Sequence, residues 1–197
     1  MKLFNKIAVA AIAWLLFALA SPIARADDLQ LSQLMHMLAQ NKSGKATFVE
    51  KKYIGILDRP VVSSGDLAFT APDKLEKRTL TPRPETLILN GDILTIDQPG
   101  KHRMIVSLEE HPEVSAFIES IRGTLAGDLG TLEKFYALKL TGSLAQWQLV
   151  LTPRQERLSS IFIHIRIGGS GADVKTIALD QRDGDHSEMV ITKTVDR

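Results

Sequence analysis

The stretch Ser63-Ser-Gly-Asp-Leu-Ala-Phe-Thr-Ala-Pro-Asp-Lys-Leu-Glu-Lys-Arg-Thr-Leu80 decides how the rest of the chain is read. Residues 65–70 and 74–80 alternate apolar and polar side chains, the period of strands with one wet and one dry face. Ala71-Pro72-Asp73 between them is turn chemistry. Pro72 has no N–H to give a ladder and belongs at the connection. The stretch is an antiparallel hairpin.

Outward from it, the same period continues. A strand is expected over residues 48–54, ahead of a polar connection at 57–60. Pro82 and Pro84 break the pattern at 81–84, since two prolines in four residues do not sit in a central strand. Residues 85–89 and 93–97 flank Asn90-Gly91, a hairpin dipeptide that favours a type I′ turn. A turn at 98–100 leads into 103–108, which completes a meander. Two helices interrupt the strands. Leu31, Leu34, Met35 and Leu38, widened by Leu29 and Met37, form one dry stripe over residues 28–41, and Lys42-Ser-Gly44 ends it. Pro112 and Glu113 open a second helix in which Val114, Phe117, Ile118, Ile121 and Leu125 recur at helical spacing before Gly127. A further short helix or a turn is expected at 128–134. Strands resume at 135–140 and 147–151 around a turn at 141–143. Residues 158–167 follow, with Ile161, Ile163, Ile165 and Ile167 on one face and Phe162, His164 and Arg166 on the other. Gly168-Gly-Ser-Gly171 reads as a flexible turn, and residues 174–179 and 187–195 close the chain around Asp183-Gly184. The expected fold is α+β and mainly β: an open antiparallel half-barrel of about 11 strands covered by two to three helices.

The chain of 197 residues suits a single domain. Its N-terminus has the form of a signal peptide: Lys2 and Lys6, an apolar run at 7–20, and the small-x-small pattern Ala24-Arg25-Ala26. Cleavage after Ala26 is expected, leaving 27–197 as one domain in the periplasm. Removing Lys2, Lys6 and Arg25 takes 24 basic residues to 21 against 23 acidic, a net charge of −2. That balance argues against a nucleic-acid partner. With no cysteine, disulfides, thiolate metal sites, cysteine nucleophiles and lipidated cysteine anchors are excluded.

Reactive constellations are missing from the sequence pattern. The histidines at 36, 102, 111, 164 and 186 lack metal-ligand spacing. Gly169-Ser170-Gly171 lacks the context of a nucleophile elbow, and Asp183-Gly-Asp185 lacks the later ligands of a calcium loop. No catalytic residue, metal or cofactor is expected, and the chain is not read as an enzyme. What remains is apolar inventory. Helices that fill the curved sheet would make the protein inert, whereas helices that lie over it as a lid would leave an apolar pocket.

Phe48-Val-Glu50, Gly65-Asp-Leu-Ala-Phe69, Pro72-Asp-Lys-Leu75, Pro82 with Glu85, and Gly91-Asp-Ile-Leu-Thr-Ile96 follow one another as in a known family. In this order the chain resembles the LolA-like outer-membrane lipoprotein carriers, as a divergent branch. Thr70-Ala71 stand where the family carries basic residues before the turn proline, including the arginine tied to lid closure, which implies different gating or cargo. The resemblance implies a passive, monomeric periplasmic carrier that shields acyl chains of a lipoprotein or other lipid-like cargo between inner and outer membrane. An inner-membrane transporter and an outer-membrane acceptor would be its partners. The lining expected from this resemblance is Phe48, Leu67, Phe69, Leu75, Leu87 and Leu89 from strands, with Phe117, Ile121 and Leu125 from the covering helix. The alternatives are an assembly or docking protein on the same fold and, further off, a lipid-acting enzyme.

Overall fold

The computed structural model describes residues 24–194. The apolar run at 7–20 and the expected strand end at 195 lie outside them. Helix α1 (Ala24–Leu38) is already present at Ala24, ahead of the start expected at 28 and across the expected cleavage point. Alanines are strong helix formers and extend the helix backwards here. Eleven strands follow: β1 (Ser43–Tyr53), β2 (Val61–Thr70), β3 (Lys74–Thr81), β4 (Glu85–Asn90), β5 (Ile93–Asp97) and β6 (Met104–Ser107), then β7 (Tyr136–Ser143), β8 (Gln146–Pro153), β9 (Phe162–Ser170), β10 (Asp173–Gln181) and β11 (His186–Lys193). Between β6 and β7 lie a 3-10 turn (Leu108–Glu110), α2 (Pro112–Ala126) and α3 (Leu129–Phe135). A single helical turn, α4 (Glu156–Ser159), precedes β9.

All strands join one antiparallel sheet in the order β6-β5-β4-β3-β2-β1-β11-β10-β9-β8-β7. The fold is therefore the expected mainly β open half-barrel with helices. Two meanders run outward from a central seam of β1 and β11, and the helical segment connects the two outer edges. Gly127 ends α2 in the left-handed conformation at φ 67°, and a Cβ there would lie 2.1 Å from Met35 O. The glycine thus both stops α2 and lets the α2–α3 turn sit on the end of α1.

The core lies on one half of the concave face. Leu34, Met35 and Leu38 of α1 pack with Leu132, Tyr136, Trp147, Leu149, Leu151, Ile165 and Ile167. Strand register puts Leu149 opposite Ile167, and Leu151 opposite Ile165, on the same face. α1 fills this half.

Four local expectations in the second half of the chain differ from the structure. Gly168-Gly-Ser170 is not a flexible turn but the end of β9, with both glycines buried. A Cβ on Gly169 would meet the Trp147 ring at 2.3 Å, and Trp147 Nε1 donates to Gly171 O at 2.9 Å. The glycines make room for an indole. Residues 141–143 belong to β7, because pairing continues to Ser143 opposite Gln146 and leaves Leu144-Ala145 as the turn. Leu158 is the buried residue of α4, not the start of a strand. Phe162 stacks on Phe117 with centroids 5.7 Å apart, beside a register irregularity between Asp180 and Gln181. That irregularity breaks the alternation that would have set Phe162 on the outer face.

Candidate functional site

The other half of the concave face, formed by β1–β6, carries the candidate site. Register gathers its side chains into rows, because directly paired residues share a face. One row runs Phe69, Leu75, Leu89, Leu94, Val106; the next runs Ala46, Leu67, Lys77, Leu87, Ile96, Met104. Phe48 lies opposite Gly65 and Ile191 in a third. Exposure rises across the rows. Phe48, Phe69 and Leu89 are buried, Leu67, Leu75, Leu87, Leu94 and Ile96 are half-buried, and Met104 at the sheet edge is 56% exposed. In contrast to the half filled by α1, this wall retains a strip of partly wet leucine and isoleucine.

The structure therefore brings the six expected strand residues onto one face. The three expected helix residues are placed differently. Phe117 and Ile121 pack against the buried cluster under α1, and Leu125 is half-buried. The fully buried residues of α2 are its small ones, Ala116, Ser120, Gly123 and Thr124. Its large apolar side chains are only half covered. α2 packs chiefly on the other helices and spans the concave side as a strut.

Sequence reasoning missed two polar features. Lys77 stands between Leu67 and Leu87 in the second row, with Nζ 2.6 Å from Glu50 Oε2 and 4.9 Å from the Phe48 ring centroid. Ser63 Oγ also donates to Glu50 Oε2, at 3.4 Å. A charged pair is thus set into the apolar wall, with its ammonium over an aromatic face. The parity of Leu75 and Lys77 was the available signal, since both must face the same way.

The second feature is Arg122, which ties α2 to the sheet. Its Nη1 donates to Gly91 O in the β4–β5 turn at 3.1 Å, its Nη2 lies 3.7 Å from Asp92, and it pairs with Glu119 on its own helix. Burial works against the charge, but Glu119, Asp92 and Asp73 outweigh it and hold the guanidinium pKa above the usual range. At the other side of α2, Tyr136 Oη donates to Ala116 O at 2.9 Å, and burial pushes that phenol pKa up. Arg122 also lines a polar cleft of about 480 Å³ with Asp73, Asp92, Glu119, Asp128 and Lys134. None of the nine expected lining residues borders this cleft. Among the described residues, no cluster of three or more His, Asp or Glu side chains is arranged to hold a metal ion.

The arrangement defines a class: an open antiparallel half-barrel whose helices fill one half of the concavity and bridge the other. The profile of the family described as "Outer membrane lipoprotein carrier protein LolA-like" matches residues 23–195, and the chain belongs to that family. It is 26% identical over 178 residues to a Dechloromonas aromatica (strain RCB) protein named outer-membrane lipoprotein carrier protein, covering 90% of this chain and 81% of that one. Among solved structures it is similar to the LolA superfamily protein NE2245 from Nitrosomonas europaea, with TM-score 0.46 and 10% identity over 87% of this chain and 94% of that one. It is also similar to a chain of the Pseudomonas aeruginosa MucA/MucB complex, with TM-score 0.46 and 14% identity over 82% of this chain and 55% of that one.

Proposed function

We propose that the strip formed by Phe48, Leu67, Phe69, Leu75, Leu87 and Leu89 shields acyl chains of a lipoprotein or other lipid-like cargo. Leu94 and Ile96 extend it, and α2, whose Phe117 and Ile121 are committed to the neighbouring cluster, bridges it with Leu125 half-buried. The work is passive and periplasmic: cargo is taken from an inner-membrane donor and passed to an outer-membrane acceptor by a monomer without a catalytic step. The observation that carries this reading is the asymmetry of the concave face, dry and filled over β7–β9 but half-open over β2–β5. Burying each methylene of a chain contributes about 0.8 kcal/mol, so a leucine strip suffices for affinity. Family membership supports the same class of role.

Native mass spectrometry of the protein purified from membrane-containing cells tests it. Wild-type protein is expected to carry bound acyl species, and Leu87→Asp, placed mid-strip, to lose them while keeping its circular dichroism spectrum. Clean apo protein that also fails to take up a fluorescent fatty acid would overturn the reading.

A further inference from the structure

The antiparallel meander sends the β1–β2, β3–β4 and β5–β6 connections to the same end of the sheet. Successive connections lie about 10 Å apart, two strand spacings. The first, residues 54–60, presents Ile56 at 92% exposure and Leu57 at 47%. An aliphatic side chain almost wholly in water at a loop tip contributes nothing to the core. The tip is nonetheless held in place. Gly55 N donates to Asp185 Oδ1 at 2.9 Å and Leu57 N to Ile54 O at 2.8 Å, while Tyr53 and His186 stack beneath it with centroids 4.3 Å apart.

Each of the three connections also carries an exposed cation: Arg59, Arg83 and Lys101. None of these side chains makes an ion pair among the described residues, whereas the neighbouring Arg103 is neutralised by Asp97 at 2.8 Å. Of the acids at this end, Asp58 and Asp183 are exposed, Asp185 accepts from Gly55 N, Glu85 accepts from Gln98 Nε2 and Asp97 pairs with Arg103. The three connections themselves thus set Arg59, Arg83 and Lys101 against Asp58. The rim therefore combines a protruding aliphatic tip with a row of unpaired positive charge.

We propose that this rim docks the protein on an anionic lipid bilayer. The aliphatic tip enters the boundary between headgroups and acyl chains, and the cations face the lipid phosphates. A convex tip needs no matching pocket in a fluid surface, which favours lipid over a folded partner. The contact is peripheral: no helix among the described residues is long and apolar enough to cross a membrane. It stands independently of the cargo reading, since it uses none of the strip residues.

Vesicle flotation tests it, using protein recovered from the soluble extract with its N-terminus fixed by intact mass and shared by all variants. Wild-type protein is expected to float with phosphatidylcholine vesicles containing phosphatidylglycerol, and less so at high salt. The variant Ile56→Asp/Leu57→Asp is expected to bind about tenfold more weakly or less. The variant Arg59→Glu/Arg83→Glu/Lys101→Glu is expected to lose the preference for phosphatidylglycerol. Thermal melts confirm that both variants are folded. Equal flotation of wild type and both variants, or no flotation of wild type with either vesicle, overturns the proposal. A photo-crosslinker at position 56 that captures a membrane protein in place of lipid also overturns it. Cargo uptake, measured on the same samples, reports separately on the carrier reading.

Discussion

Arg122 concentrates several demands in one side chain. It is 17% exposed and faces Glu119, Asp92 and the Gly91 carbonyl, so its removal leaves a half-buried carboxylate and a turn carbonyl without their donor. Hydrogen bonds to charged groups contribute about 1.5–3 kcal/mol. Arg122→Ala is therefore expected to lower stability by about 1–3 kcal/mol in urea unfolding. It should also speed amide exchange in α2 ahead of exchange in the sheet. A loss below about 0.5 kcal/mol, the range of ordinary surface changes, would show that α2 is held by packing alone. The resemblance implies an arginine tied to lid closure ahead of Pro72, and Thr70-Ala71 occupy that place. The contact from α2 to the sheet is made by Arg122. Lys77 poses the opposite case, a charge placed in the leucine strip and stabilised by Glu50 and Phe48.

At the scale of elements, α3 is held at its start by Asp128. Its carboxylate accepts from the Thr131 hydroxyl at 2.6 Å and from Thr131 N at 2.9 Å, and these bonds hold its pKa below the usual carboxylate range. A depressed folded-state pKa contributes stability above the unfolded value, about 3.9, and loses it as pH falls through the folded value. Asp128→Ala is thus expected to cost about 1 kcal/mol at neutral pH. That difference from wild type should shrink in melts taken below about pH 4; a pH-independent difference would mean that the cap is not electrostatic. Cap, turn and strand signals of this kind are local, which is why they were legible in the sequence. Asp183-Gly184 turns where its dipeptide requires, and the α1 stripe is buried as its spacing demands. The expected type I′ turn at Asn90-Gly91 is shifted by one: Asn90 still pairs with Ile93, and Gly91-Asp92 make the connection, with positive φ (58°) at Gly91 and not at Asn90. The misreadings at Gly169 and Phe162 concern contacts between distant residues. Gly169 looks like loop until Trp147 is laid across it, and Phe162 keeps its alternation until a ladder irregularity redirects it. The face of Lys77 was legible from parity, but its partner Glu50 lies two strands away across β2.

For the whole molecule, the two halves of the sheet differ in what supports them. β7–β9 are braced by α1, whereas β3–β6 end in a four-residue edge strand with Met104 and Ile105 exposed at 56% and 67%. Hydrogen exchange is expected to be slowest in β8 and β9 and fastest in β5 and β6, with cargo slowing the second group preferentially. Uniform protection in apo protein would remove the basis for a half-open wall. The seam at the sheet centre has a kinetic consequence. β1 is joined to β11, pairing residue 46 with residue 193, so the first and last strands among the described residues meet in the middle. Each meander zips from neighbour to neighbour, but uniting them requires closure of nearly the whole polypeptide, the slow kind of step in a high-contact-order fold. Until its C-terminus is delivered, the chain has two half-sheets, each with a bare inner edge open to the wrong partner. Refolding yield is therefore expected to fall as protein concentration rises, lost to association through these two edges.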